Sequence, residues 1–149
     1  MLARVNVLVV GSGAREHAIA WKLSTSPQVD RLYTVPGNAG TATVGTNIPG
    51  SPGNPEELAR LALENHVDLT IVGPEIALVN GIVDLFDKRN LSIFGPTKAA
   101  ARIETSKAFA RELMRIHQIP SPEFRVFDNY NEAQMFLANH KCPVVVKAD

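Results

Sequence analysis

The sequence predicts an α/β fold, a parallel sheet flanked by helices, and three observations carry that expectation. Short β-branched runs alternate with stretches of helical periodicity, as in repeated βαβ units. The first run, Val5 to Val10, is apolar almost without interruption, which suits a strand buried on both faces. Turns rich in glycine and proline follow the strands, at Gly11-Ser12-Gly13, Pro36-Gly37 and Gly73-Pro74.

The elements follow in order. Ala14 to Ser24 reads as a helix, with Ala14, Ala18 and Trp21 on one stripe and Ile19 and Leu23 beside it. Leu32 to Val35 is a second strand, and a loop of Gly, Pro, Thr and Asn runs from its end to Gly53. Asn54-Pro55-Glu56-Glu57 starts a helix with a capping Asn, a proline at the first position and acids in the first turn. Leu58, Leu61 and Ala62 form its inner face. Leu69 to Val72 is the third strand; Val79, Ile82, Val83 and Phe86 then recur at helical spacing, and Ser92 to Phe94 is a fourth strand.

From Thr97 a helical stretch is expected to about His117, with Phe109, Leu113 and Ile116 on one face. The two prolines of Ile119-Pro120-Ser121-Pro122 mark a boundary. Beyond it the pattern predicts a strand near Phe124 to Phe127, a helix with Asn131 and Gln134 as a capping pair, and a final strand from Val144 to Lys147. One domain is therefore placed at 1–118 and the beginning of a second, incomplete one at 119–149.

Composition narrows the function classes. The 149 residues carry 15 Lys+Arg against 15 Asp+Glu, with 45% apolar residues, so the chain is globular and uncharged overall. Nucleic acid and anionic membranes, which call for a basic excess, are disfavoured as partners. No apolar run approaches the roughly 20 residues that span a bilayer. Met1-Leu2-Ala3-Arg4 leads straight into the first strand without a targeting pattern. The lone Cys142 is expected to be a small buried side chain, and the expected location is the reducing cytoplasm. The β-branched ending, with no cap or polar tail after it, suggests a fragment.

Gly11-Ser12-Gly13-Ala14-Arg15-Glu16 lies between a buried strand and a helix, where glycines let backbone amides approach an anion. It departs from the dinucleotide fingerprint, since Glu16 holds the third glycine position and Val35-Pro36-Gly37 offers no ribose-binding acid. A phosphate site at Gly11, Gly13 and Arg15 and a ligand-free tight turn are both consistent with the pattern. His17 reads as a packing or solvent residue. Two further loops leave the same sheet edge: Pro36-Gly37-Asn38-Ala39-Gly40-Thr41 and Gly73-Pro74-Glu75. Their amides, hydroxyl and carboxylate suit a sugar phosphate, or else serve turn geometry alone.

Lys107 lies just inside a helix, and Lys147 closes the last apolar run. Such a lysine either faces a polyphosphate or snorkels to water. Arg102, Arg111 and Arg115 read as a solvated helix face.

These motifs together resemble the N-terminal part of the glycinamide ribonucleotide synthetases (phosphoribosylamine–glycine ligases), ATP-grasp enzymes of purine biosynthesis. The matching pieces, in the family's order, are Gly11 to Ala18, Pro36 to Thr41, Val72 to Glu75 with Gly81 to Asp84, Phe94 to Pro96, Ser106 to Phe109, Ile119-Pro120 and Val146 to Asp149. Ala14 and Ala77 depart from the family's usual small residue and proline.

The resemblance implies a Rossmann-like pre-ATP-grasp domain followed by the truncated start of an ATP-grasp domain. It implies that ATP phosphorylates the carboxylate of glycine and that the amine of 5-phosphoribosylamine attacks the acyl phosphate, giving amide, ADP and phosphate. Lys107 and Lys147 would contact ATP; Gly11, Gly13, Arg15, Gly37, Asn38, Gly40, Thr41 and Glu75 would hold the sugar phosphate. The catalytic groups and the ligands of Mg2+ or Mn2+ are expected in the rest of the parent enzyme, and this piece alone is expected to be inactive. The alternatives are another ATP-grasp ligase or carboxylase with the same first domain, or a stand-alone nucleotide-binding module.

Overall fold

Strand β1 (Val5–Gly11) alternates its side chains between two apolar layers, and that alternation organises the fold. Leu8 and Val10 enter one layer with Val35, Leu58, Leu61, Ile82 and Phe86; Val7 and Val9 enter the other with Ala20 and Leu32. A strand buried on both faces has no solvent side, which explains its continuous apolar run.

The computed structural model describes residues 4–149; Met1 to Ala3, part of the segment read as lacking a targeting pattern, lie outside the described residues. The other elements of the sheet region are α1 (Ala14–Ser24), β2 (Val29–Pro36), β3 (Thr46–Asn47), α2 (Pro55–Glu64), β4 (Leu69–Val72), α3 (Glu75–Val79), α4 (Ile82–Lys88) and β5 (Ile93–Phe94). The sheet has five strands in the order β3-β2-β1-β4-β5, and every pairing is parallel. The α/β class expected from the sequence is therefore observed. The strand order reverses between β1 and β4, the place where open α/β sheets form a crevice beyond their carboxyl ends.

Several local expectations are corrected. On α1 the inward positions are Glu16, Ile19, Ala20 and Leu23, while Ala14, Ala18 and Trp21 face solvent. The helix turns this side inward because Glu16 packs beneath the glycine turns. The periodic stretch around Val79 is two helices, α3 and α4, divided at Asn80-Gly81 where Gly81 takes a left-handed conformation (φ 80°). The long second strand begins at Val29, and the loop after it contains the short strand β3.

The chain forms two compact units, Met1–Ala101 and Arg102–Asp149. The sequence placed a division at the proline break near residue 119. The helical stretch expected from Thr97 to His117 is also two helices, α5 (Lys98–Thr105) and α6 (Lys107–Ile116), because Ser106 leaves the helical conformation to cap α6, accepting from Phe109 N–H at 3.1 Å. In α7 (Tyr130–Asn139) the cap is Asn129, whose Oδ1 accepts from Asn131 and Glu132 amides, rather than the expected pair Asn131 and Gln134.

Residues 124–127 and 144–147 are not strands. Neither segment has a ladder partner among the described residues, and β-branched composition without a paired neighbour leaves the chain irregular. Val145 and Val146 are accordingly exposed. Cys142 is exposed as well, as a free thiol, because the segment around it is not packed.

Candidate functional site

Two backbone hydrogen bonds draw three loops to one rim of the sheet. Gly37 N–H donates to Gly11 O at 3.1 Å, and Gly73 N–H donates to Val10 O at 3.1 Å. The turns after β1, β2 and β4 thus extend the sheet's own ladder beyond its carboxyl ends. The juxtaposition expected from the sequence is present within this unit.

At the centre lies Glu16, whose side chain is only 5% exposed. Its Oε2 accepts from Gly13 N–H at 2.6 Å, so α1 is capped by its own third residue. A Cβ at Gly11 would lie 2.6 Å from Glu16 Cγ, one at Gly13 would lie 2.8 Å from its Oε2, and one at Gly73 would enter the same carboxylate. Gly11 is required twice over, because its φ of 126° is itself unfavourable for a side chain. Arg15 Nε stands 3.3 Å from Glu16 Oε1 and the guanidinium remains largely in solvent.

The second loop is bound to the first through Asn38. Its Nδ2 donates to Ser12 O at 2.8 Å, while its Oδ1 accepts from the amides of Gly40 at 2.7 Å and Thr41 at 3.0 Å. Thr41 is fully buried, and its hydroxyl lies between Asn38 O and Asn47 Oδ1. Asn47 completes the frame by donating to Asn38 O at 2.8 Å and accepting from Thr34 Oγ1. Gly40 has no room for a Cβ because the His17 imidazole fills that space. Asn38, Thr41 and Gly40 therefore fix the loop's shape, and His17 packs against it. The groups left toward water are the Ser12 hydroxyl, the Arg15 guanidinium and the Glu75 carboxylate on the first turn of α3. This set can meet an anion with a cation and a hydroxyl or amine with a carboxylate.

The second unit has its own cluster of charges. Lys107 opens α6 and is exposed, as is Lys147. The strand that Lys147 was expected to close is absent, and its side chain lies in water. Asp149 Oδ1 accepts from Ala108 N–H at 2.9 Å and its Oδ2 from Ser106 Oγ at 2.8 Å. These donors, with Lys107 beside them, hold the Asp149 carboxyl below the usual aspartate range. Asp149 thereby brings the piece of chain carrying Lys147 to the first turn of α6. Arg102 is not merely solvated, because it stacks 3.9 Å from the centre of the Phe109 ring. Arg111 donates to Ser121 at 3.0 Å and Arg115 pairs with Glu112.

Sequence reasoning missed Glu16, Asn47 and Asp149. Glu16 had a signal, namely an acid standing where the dinucleotide turn has glycine. Asn47 lies in a loop that gives no periodic cue, and Asp149 becomes a cap only through the fold of its unit. Among the described residues no three of His, Cys, Asp and Glu gather into a group able to hold a metal.

Comparison with known proteins agrees with this architecture. The family model described as "Phosphoribosylglycinamide synthetase, N domain" matches residues 5–104, and that described as "Phosphoribosylglycinamide synthetase, ATP-grasp (A) domain" matches residues 105–149. The phosphoribosylamine–glycine ligase of Caldanaerobacter subterraneus subsp. tengcongensis is 50% identical over 145 residues, covering 97% of this chain and 35% of its own length. That of Pseudomonas aeruginosa is 48% identical over 147 residues, with 97% and 34% covered. The chain thus spans about a third of the length of the curated relatives it matches. The crystal structure of the phosphoribosylamine–glycine ligase from Thermotoga maritima superposes with a TM-score of 0.66 at 28% identity, over 92% of this chain and 31% of that one. N5-carboxyaminoimidazole ribonucleotide synthetase from Thermus thermophilus shares the fold at a TM-score of 0.68 and 17% identity, over 92% of this chain and 37% of that one. With two thirds of its residues matched by the first of those family models, the chain belongs to the phosphoribosylglycinamide synthetase family.

Proposed function

We propose that the chain is the N-terminal part of an ATP-dependent carbon–nitrogen ligase that joins glycine to 5-phosphoribosylamine. The observation that supports this best is the bonded rim of Gly11, Gly37 and Gly73 in a chain whose relatives carry the name phosphoribosylamine–glycine ligase. In this reading the rim of the first unit holds the sugar phosphate. Arg15 faces its anion and Glu75 a hydroxyl or the amine; Gly11, Gly13, Gly37, Gly40, Asn38 and Thr41 keep the loops in the shape that admits it. In the second unit Lys107 and Lys147 contact ATP phosphates. A free carboxylate is a poor electrophile at neutral pH, so glycine is activated as its acyl phosphate, with ADP released. The amine then attacks the acyl carbon, loses a proton and expels phosphate. Positioning and charge neutralisation carry such a reaction. The catalytic groups and any Mg2+ or Mn2+ site belong, in this proposal, to the rest of the parent enzyme, which works in the cytoplasm.

The test is Lys147→Ala in the full-length enzyme. ATP use is expected to weaken by about tenfold or more, as for loss of a charge-assisted phosphate contact, with sugar-phosphate binding unchanged. An unchanged ATP dependence removes Lys147 from the site. The 149 residues alone are expected to release no ADP in the presence of ATP, glycine and 5-phosphoribosylamine.

A further inference from the structure

We infer that Glu16 is a specificity-determining residue: it closes the first glycine turn to diphosphates by occupying, with its own carboxylate, the amide that a dinucleotide would use. The inference rests on the proposed use of this rim for a sugar monophosphate, and it adds what the rim refuses.

In a doubly wound sheet a dinucleotide lays its pyrophosphate across the strand-to-helix turn beside the point where strand order reverses. Here that turn is Gly11-Ser12-Gly13, and strand order reverses between β1 and β4. Instead of open space, the end of that crevice contains the Glu16 side chain, pressed against Gly11 and Gly13 on one side and Gly73 on the other. The Gly13 amide is consumed by Glu16 Oε2 at 2.6 Å, a short charge-assisted bond. The carboxylate is almost wholly removed from water, so it is weakly screened and repels a second anion brought to the same amide. The Arg15 guanidinium stands 3.3 Å from its other oxygen.

Occupancy and charge act together, yet they separate by mutation. Glu16→Gly restores the glycine spacing of the dinucleotide turn and frees the amide. Glu16→Gln removes the charge but leaves an oxygen able to accept from Gly13. ADP-ribose is the diphosphate probe and ribose 5-phosphate the monophosphate probe, each titrated by calorimetry into the 149-residue chain. The unmodified chain and Glu16→Gln are expected to bind ADP-ribose too weakly to measure. Glu16→Gly is expected to gain about tenfold or more, since it alone frees the Gly13 amide and the space beside it, and one hydrogen bond from that amide to a diphosphate oxygen is worth about that much. A folded Glu16→Gly with no gain overturns the inference, and so does an equal gain in Glu16→Gln. Should Glu16→Gly not fold, amide NMR on the unmodified chain decides. The Gly13 signal is expected to stay still as ADP-ribose is added, and a saturable shift there refutes the block. Ribose 5-phosphate binding by the unmodified chain tests the monophosphate reading separately, because the ADP-ribose comparison does not depend on it.

Discussion

Asn38 Nδ2 donates to Ser12 O at 2.8 Å across 26 residues of sequence. One amide group thus binds the turn after β1 to the turn after β2, while its oxygen shapes its own loop through two amides.

Asn38→Ala removes all of these bonds and leaves the part-buried amides of Gly40 and Thr41 without their acceptor. A loss of about 1–3 kcal/mol in unfolding free energy is expected, measured by urea denaturation. Asn38→Asp keeps the acceptor and loses the donor, so it should fall between the two.

Gly73 and Gly53 make a matched pair of tests. A Cβ at Gly73 would enter the Glu16 carboxylate, whereas at Gly53 the nearest atom would be 3.5 Å away. Gly73→Ala is expected to cost about 1–3 kcal/mol through overpacking. Gly53→Ala is expected to be neutral or stabilising by up to about 1 kcal/mol, since it restricts the unfolded chain. Equal denaturation midpoints for the two variants would contradict this packing.

Thr70 Oγ1 is buried in β4 without a hydrogen-bond partner among the described residues. Thr70→Val keeps the shape and removes the unsatisfied hydroxyl. A gain of about 1 kcal/mol is expected, read as a higher thermal midpoint.

The Asp149 contact gives a pH dependence whose sign is fixed. Donors from Ser106 and Ala108 hold its carboxyl below the ordinary aspartate range, so the docked group binds a proton less readily than the free one. Docking is fully favoured above the ordinary aspartate pKa and is lost as pH falls through the lower, docked value. The Ala108 amide NMR signal should therefore titrate below the ordinary aspartate range, and Asp149→Asn should abolish that titration.

Much of this was legible in the sequence where one physical cause dominates. β4 at Leu69–Val72 and α1 at Ala14–Ser24 have the expected bounds, because an apolar run or a helical period decides them alone. The Asn54 cap of α2 is also as read, with Oδ1 accepting from Glu57 N–H at 3.2 Å. Periodicity overran Gly81 and Ser106 because apolar spacing continues through both, while a left-handed glycine and a capping hydroxyl set the real breaks. Helices α2, α4 and α6 end on left-handed His66, Asn90 and Gln118, so the usual glycine stop was not there to read. The rim loops were found from glycine and proline, but their lock was not. Glu16 is buried because the Gly11–Gly13 turn and the distant Gly73 converge on it, and convergence is a property of the folded chain.

Both borders of the sheet are two-residue strands, β3 and β5. A foreign chain seeking to extend the sheet meets only a couple of backbone groups on either border, too few to hold a register. Stacking of one molecule's sheet onto another's is thereby discouraged by length alone, without the charged or proline-bearing margins that longer border strands require.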